Sequence, residues 1–499
     1  MLGTPAPSLD SRRQTGTVRF CLPRWGTEGR VRIFAKRWGV MGLIGVAAIR
    51  RAARWCCAGA ASFSLAACAS YQPLPLQTHL RLKHSLSELV HTGVRIDQPL
   101  SVYDVAVLAV ENNPDLVATR TQRGVARAQV LEAGLLPNPS ISASYLFNLN
   151  PSGGDLFNAV AATVTQDIQK TITMKGRLRT AQAAALQVDA SMLWEEWQLI
   201  GKARLAVFDI VQGEKLRKVL IAYRNTLQDR FERGRRALGE GNVTLATVAP
   251  DLAAASESRK AVFDLERDLD THRHDLNALL GLAPEVVVPL KTQLQVLQVD
   301  SKAVMRALDD VADRRPDLIA LQLGYRSQDE KFRVAILGQF PALTFGPSYG
   351  RDTADIRTFG PQVTMDLPIF DRNQGNIAIE KATRDQLRAE FEARLSAAHS
   401  EVLASLATQR LIGRQLQEER AELPVLQGFA NQAESAMNAG NIDERAYVDL
   451  VSANYAKQQA VLILEQLLLE QQVAIATLIG AGMPRASMPT EAAYEELGR

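Results

Sequence analysis

Between Pro151 and Pro250 the chain contains no proline. From Gly176 through Arg233 alanine, leucine, glutamate, glutamine and arginine dominate, and these good helix formers leave nothing local to stop a helix. Such a helix is about 90 Å long, several times an average globular helix. A turn cluster of Gly234, Gly239, Gly241 and Asn242 then reverses the chain. The return limb carries Leu245, Val248, Leu252, Ala255, Val262, Leu265, Leu269, Leu276 and Leu279 at steps of mostly three and four. That spacing makes one apolar seam, as in a coiled coil. The limb ends at Gly281, with Pro284 just beyond, so the spacing predicts a helical hairpin over 175–281.

The unit occurs twice. Val164-Thr165-Gln166-Asp167-Ile168 returns as Val363-Thr364-Met365-Asp366-Leu367, 199 residues on. At that offset Gly241-Asn242-Val243 becomes Gly440-Asn441-Ile442, and Leu279-Leu280-Gly281 becomes Leu478-Ile479-Gly480. Upstream, Pro114-Asp115-Leu116 becomes Pro316-Asp317-Leu318 at an offset of 202, as expected if one loop differs in length. A duplicated unit of this size is a fused pair of half-molecules and no short solenoid repeat.

Each copy also changes period. In 140–149, Ile141, Ala143, Tyr145, Phe147 and Leu149 alternate with Ser140, Ser142, Ser144 and Asn148, a strand with one apolar face. A second, weaker strand covers 157–168. The other copy repeats the hairpin over 342–350 and 358–367, where Phe359, Pro361, Val363, Met365 and Leu367 alternate with Thr358, Gly360, Gln362, Thr364 and Asp366. Ser101 can cap a helix over 101–135 that Asn113-Pro114 breaks or re-caps. The second helical hairpin spans about 373–480, and Pro424 predicts a kink or helix break near Leu423.

A single pair of soluble hairpins could carry such strands on a core. Their place between very long helices, with aromatics on one face and Ser, Thr, Asn and Gln on the other, fits transmembrane barrel strands better. Four strands cannot close a barrel, and open edges are not tolerated in lipid, so either the hairpins lie outside a membrane or several chains share one barrel, twelve strands for three chains.

The N-terminus reads as a leader. Arg50, Arg51 and Arg54 precede the uncharged run Trp55 to Ala67, which ends Leu65-Ala66-Ala67-Cys68. This is a secretory signal, with residues 1–40 upstream of Met41 a start-site artefact or dispensable extension. The ending resembles a bacterial lipoprotein box with Cys68 lipidated; the alternative is an ordinary signal cut that leaves Cys68 free. Residues 1–67 hold 11 of the 57 basic and 2 of the 54 acidic residues, so the remainder has 46 against 52 and a net charge of −6 in place of +3. No basic excess is left to suggest nucleic acid. Cys21, Cys56 and Cys57 go with the leader, leaving no disulfide framework and no thiolate metal site. After Cys68 there is no run of 18 or more apolar residues, hence no expected transmembrane helix. Residues 68–100, with Pro73 and Pro75, read as an extended tether, 101–290 and 291–485 as the two repeats, and 486–499 as a tail.

Lipoprotein box, tandem copies, strand hairpin, long helix, Gly-Asn turn and returning helix, in that order, resemble the TolC-like outer-membrane efflux factors. The resemblance covers about residues 68–485 and is closest to the lipidated branch serving resistance-nodulation-division pumps. It implies a fold that is mainly α with a small β part. In it three chains share a twelve-stranded transmembrane β-barrel, continued by an α-barrel of long antiparallel hairpins. The implied partners are two further copies, outer-membrane lipid, a periplasmic adaptor at the hairpin tips Gly241, Asn242, Gly440 and Asn441, and an inner-membrane pump. The implied function is a passive duct exporting drugs or heavy-metal ions, with no catalysis, no cofactor and no bound metal. Met174-Lys175-Gly176-Arg177 is similar to the Gly-Lys-Arg opening of heavy-metal members. Asp449 falls on the second acidic position of the family's periplasmic constriction, where the first is Ala446 here, and Asp443 lies nearby; against this stands an ordinary solvated helix face. His272 and His274, two apart on a helix, point to different faces and cannot share a metal. No Gly-x-x-x-x-Gly-Lys-[Ser/Thr] or His-Glu-x-x-His motif occurs, and Gly346-Pro347-Ser348-Tyr349-Gly350, which has the Gly-x-Ser-x-Gly letters, lies within the alternating strand 342–350 and not on a strand-to-helix turn. A coiled-coil adaptor or structural lipoprotein without a channel is the rival reading.

Overall fold

The computed structural model describes residues 71–76, 78, 82–149, 157–294 and 300–481. The chain divides into two units, Met1–Leu80 and Arg81–Arg499. In the first, residues 71–76 and 78 carry no regular secondary structure; the second holds every described helix and strand. The leader, Cys68 and the 486–499 tail lie outside the described residues.

Two short helices open the second unit, α1 (Val102–Asn112) and α2 (Pro114–Gly134). Ser101 and Asp104 form a reciprocal capping box at the start of α1. Asn113 then caps α2 by accepting from the Leu116 N–H at 2.9 Å, with Pro114 at the first helical position. The Asn113-Pro114 pair therefore re-caps the helix.

Strands β1 (Ser140–Leu146) and β2 (Ala159–Asp167) are slightly shorter than their alternation suggests. Asp167 both ends β2 and caps α3 (Ile168–Gly239), accepting from the Lys170 N–H at 2.8 Å. The helix thus starts at Ile168 and not near Lys175. The β-branched run Thr171-Ile172-Thr173 argues against helix on propensity. Here the hydroxyls of Thr171 and Thr173 donate to the carbonyls of Asp167 and Gln169 at 2.7 and 2.9 Å, so the run opens the helix without exposing its polar groups. With 72 residues, α3 is about 108 Å long.

The return helix α4 (Leu245–Leu280) buries Val248, Ala255, Val262, Leu269 and Leu276 at intervals of seven, while Leu245 and Leu252 are exposed. The seam is therefore narrower than the full apolar set. A Cβ on Gly213 of α3 would stand 2.6 Å from Leu269 Cδ2, so this glycine opens the hole that Leu269 fills. Gly281, at φ 69°, closes the helix in the left-handed conformation.

The element order then runs again: α5 (Ser301–Asp309), α6 (Val311–Arg314), α7 (Pro316–Leu337), β3 (Leu343–Arg351), β4 (Arg357–Met365), α8 (Gln374–Asn438) and α9 (Glu444–Leu478). No helix break occurs at Pro424, which lies inside continuous α8. Lys457 of α9 clamps Glu419 and Glu422 at 2.7 Å each just before it, and Ala430 and Ala433 are buried just after, so tertiary packing holds the helix across one missing N–H. In place of the direct strand-to-helix passage of the first copy, residues 366–373 connect β4 to α8. Pro368 drives Leu367 out of the helical region, which delays the helix.

Next to the sheet, α3 packs on α2 and α7, with Ala126 and Val130 against Ala185 and with Ile319 and Leu323 against Ala183. Farther down, its neighbours are α4 and α9. Residues 83–100 are no tether. They lie on the core through bridges from Lys83 to Leu282 and from Leu100 to Leu290, with Leu89, Val94 and Leu100 buried against α1 and α3. Their apolar residues lack a period, which hides the packing from a pattern reading. A matching cluster joins α5, α6 and the start of α7 to α8 and α9.

Candidate channel-forming sheet and helical tips

The four strands make one antiparallel sheet in the order β1-β2-β3-β4. Pairing sorts most of the side chains by face. Ile141 lies opposite Val164, Tyr145 opposite Val160, Tyr349 opposite Phe359 and Phe345 opposite Val363, all on one face. The other face aligns Ser140 with Thr165, Ser142 with Thr163, Thr163 with Ser348, and Thr344 with Thr364. The polar face is knit together: Ser140 and Thr165 hydroxyls are 2.9 Å apart, and Thr163 Oγ1 meets Ser348 Oγ and Gln362 Oε1 at 3.1 Å each.

Among the described residues the apolar face has no cover. Ile141 is 76% exposed, Phe359 79% and Val363 61%. Burying such residues is worth about 25 cal/mol per Å² of apolar area, so leaving them in water is costly. Strands β1 and β4 also each offer one unpaired edge. Facing prolines, Pro347 and Pro361, remove two N–H donors from the middle of the β3–β4 ladder. Gly346 beside them packs so closely on the Val164 carbonyl that no side chain would fit.

At the far end, both helical tips turn in the same way. Gly241 and Gly440 sit at φ 78° and 75°. Gly241 N–H bonds to Leu238 O at 3.1 Å and Asn242 N–H to Ala237 O at 2.9 Å, while Gly440 and Asn441 repeat this on Met437 and Ala436 at 2.9 and 2.8 Å. These are paired Schellman closures, and the Gly-Asn signature is first of all a helix stop.

Asp443 is the N-cap of α9 and accepts from the Ala446 N–H at 2.7 Å. Asp449 is exposed. Six residues separate them, about 240° around a helix, so one chain does not bring the two aspartates together. The sequence reading missed Arg233 of α3, which grips Glu444 of α9 at 2.6 Å and ties the two hairpins near their tips. At 211 residues apart the pair has no local signature.

Gly176, in the segment resembling the heavy-metal opening, has Val334 Cγ2 of α7 at 2.5 Å from where a Cβ would stand, which accounts for it by close helix contact. His272 and His274 point to different carboxylates, Asp209 at 4.0 Å and Asp270 at 3.8 Å. Among the described residues no group of three or more His, Cys, Asp or Glu is placed to hold a metal ion. One helix, α9, is long and apolar enough to cross a membrane by composition, which an unbroken-run criterion overlooks. Glu465 and Gln466 in its middle bond to Arg420 and Asp209, at 2.6 and 2.9 Å, so its packing is that of a helical rod.

Residues 307–481 match the family described as outer membrane efflux protein. The chain is 24% identical over 410 residues to the toluene efflux pump outer membrane protein TtgF of Pseudomonas putida, covering 77% of this chain and 84% of that one. It is 21% identical over 375 residues to the cobalt-zinc-cadmium resistance protein CzcC of Cupriavidus metallidurans, covering 72% and 85%. The crystal structure of the Campylobacter jejuni CmeC outer membrane channel shares the fold at a TM-score of 0.65 and 15% identity, over 86% of this chain and 98% of that one. The family match over residues 307–481, relatives along most of the chain and a shared fold make this chain similar to the outer membrane efflux proteins.

Proposed function

We propose that the chain is the outer-membrane duct of a tripartite efflux system, acting as a homotrimer and catalysing nothing. The observation that carries this reading is the four-stranded sheet with an uncovered apolar face and two open edges. A lipid bilayer accepts such a face only when every edge is paired, and three copies joined β4 to β1 satisfy both demands at once. The polar face, rich in Ser, Thr and Gln, then lines the water-filled lumen. The long helices continue the duct toward the inner membrane, and the tips at Gly241-Asn242 and Gly440-Asn441 meet a periplasmic adaptor that links the duct to the pump. Cys68 carries the lipid anchor in this reading. The cargo is small solutes; relatives named for toluene and for cobalt, zinc and cadmium align with most of the chain, so a heavy-metal ion and an organic compound are both within the class.

Fractionation and mass measurement test this directly. The protein with Cys68→Ala should stay in the outer membrane, and its mass in detergent should be that of three chains. Release by osmotic shock, or a stable monomer or dimer in detergent, would overturn the duct and favour a soluble coiled-coil adaptor. Sensitivity of a deletion strain to a panel of metals and drugs then assigns the cargo.

A further inference from the structure

Halfway along α3 a groove runs between that helix and α9. It consists of two cavities of about 780 and 600 Å³ that share Gln293 and Gln472 in their walls. The floor is apolar, with Phe208 and Val473 at one end and Leu468 and Leu469 at the other. The rim is cationic. Arg204 and Lys291 line the first cavity, Lys215 and Arg420 the second, and the one acidic residue in either lining is Glu465. Arg420 occupies Glu465 at 2.6 Å. Among the described residues Arg204, Lys215 and Lys291 have no carboxylate partner. Arg204 lies 5.7 Å from the Trp197 ring, and burial with no compensating anion holds its pKa below the usual guanidinium value.

A second feature specifies the ligand more closely. Gln212 lines the second cavity, is 4% exposed, and donates weakly through Nε2 to Glu465 at 3.5 Å. Turning the amide over would set oxygen against carboxylate, so Oε1 is the free atom, and it has no donor. A buried acceptor without a donor is costly, and a ligand that supplies one removes that cost. A simple carboxylate or phosphate could satisfy the cations but offers no N–H to Gln212. A peptide backbone does.

From Arg204 to Lys215 the helix rises about 16 Å, the span of roughly five residues of extended chain. Successive side chains of such a chain point to opposite sides, one set toward the apolar floor and the other toward the cationic rim. We infer that this groove is the docking site for an extended segment of a partner protein in which acidic and apolar residues alternate. The inference is independent of the channel reading, since neither the sheet nor the tips enter it.

The test uses the full-length protein in dodecyl maltoside and the capped peptide Glu-Leu-Glu-Phe-Glu, titrated by calorimetry. We expect one saturable site per chain. The Arg204→Gln/Lys215→Gln/Lys291→Gln variant should weaken binding about tenfold or more, with added salt weakening the wild-type complex in the same direction. Lys291→Gln alone, at an exposed position that cannot disturb packing, should weaken it measurably. The same peptide with lysine for glutamate should not bind. Equal binding by the triple variant, or by the lysine peptide, overturns the site. Glutarate binding as tightly as the peptide overturns the peptide assignment and leaves a small-anion pocket. Oligomer mass and bilayer conductance of the variants report on the channel separately, so the two readings fail independently.

Discussion

Gln466 donates to two carboxylates at once, Asp209 Oδ1 at 2.9 Å and Glu470 Oε1 at 3.1 Å, across the α3–α9 contact. Burial pushes both acids above the ordinary carboxylate range; His272 and the shared amide pull each back, and the charge of Asp209 raises Glu470 further. A carboxyl whose folded pKa is raised binds more protons folded than unfolded. The folded state therefore gains stability as pH falls from the raised folded values to the ordinary ones, and loses that gain as pH rises through the same window. Thermal unfolding should show this contribution in the wild type as pH falls from the raised folded values to the ordinary carboxylate range, and its loss in Asp209→Asn/Glu470→Gln. The aspartates at the tip behave differently. If Asp449 lines the constriction, three copies focus a negative potential on the axis, and Asp449→Ala should lower cation selectivity in a planar bilayer. Asp443→Ala should instead cost about 1 kcal/mol of α9 stability through its lost cap, and lower selectivity further if it too faces the axis. Unchanged selectivity in the double variant would make both residues ordinary parts of a solvated helix end. Asp443 was legible as a charge near a turn but not as a cap, because its acceptor role depends on where α9 starts. Arg315 was not legible at all. Fully buried, it grips Asp317 at 2.7 Å and lies 4.8 Å from the Trp194 ring, and nothing in the string Arg314-Arg315-Pro316-Asp317 says which arginine turns inward.

Periodicity carried the long elements well, since a seam repeated over many turns outweighs any single residue. It failed at their ends and at isolated prolines, where one tertiary contact decides. Thr171-Ile172-Thr173 joined α3 because their polar groups found partners within the helix. Pro424 stayed inside α8 because Lys457 of α9 holds Glu419 and Glu422 just before it and Ala430 and Ala433 are buried just after. Seam positions are the ones that should matter energetically. Leu269→Ala empties the hole opposite Gly213 and should destabilise the α3–α4 hairpin by about 2–5 kcal/mol. Leu252→Ala, on an exposed position of the same apolar set, should change stability by about 0.5 kcal/mol or less. Unfolding followed by helical circular dichroism separates the two, and equal effects would mean that the seven-residue seam is not where α4 is held.

On the scale of the molecule, alternation in the strands was readable because each residue's face follows from parity alone, and the pairing of Tyr349 with Phe359 and of Phe345 with Val363 keeps that parity across β3 and β4. The packing of 83–100 was not, since loop residues choose their contacts by geometry that no period encodes. The same holds for the two junctions between sheet and helices, which the repeated sequence makes look alike. In one, Asp167 belongs to strand and helix together; in the other, residues 366–373 intervene, with Pro368 and a left-handed Asn373. Mechanically, the first is a shaft keyed to its collar and the second a coupling with slack. A rotation of α3 would therefore bear directly on β2, whereas the eight residues 366–373 give a rotation of α8 room to be taken up before β4.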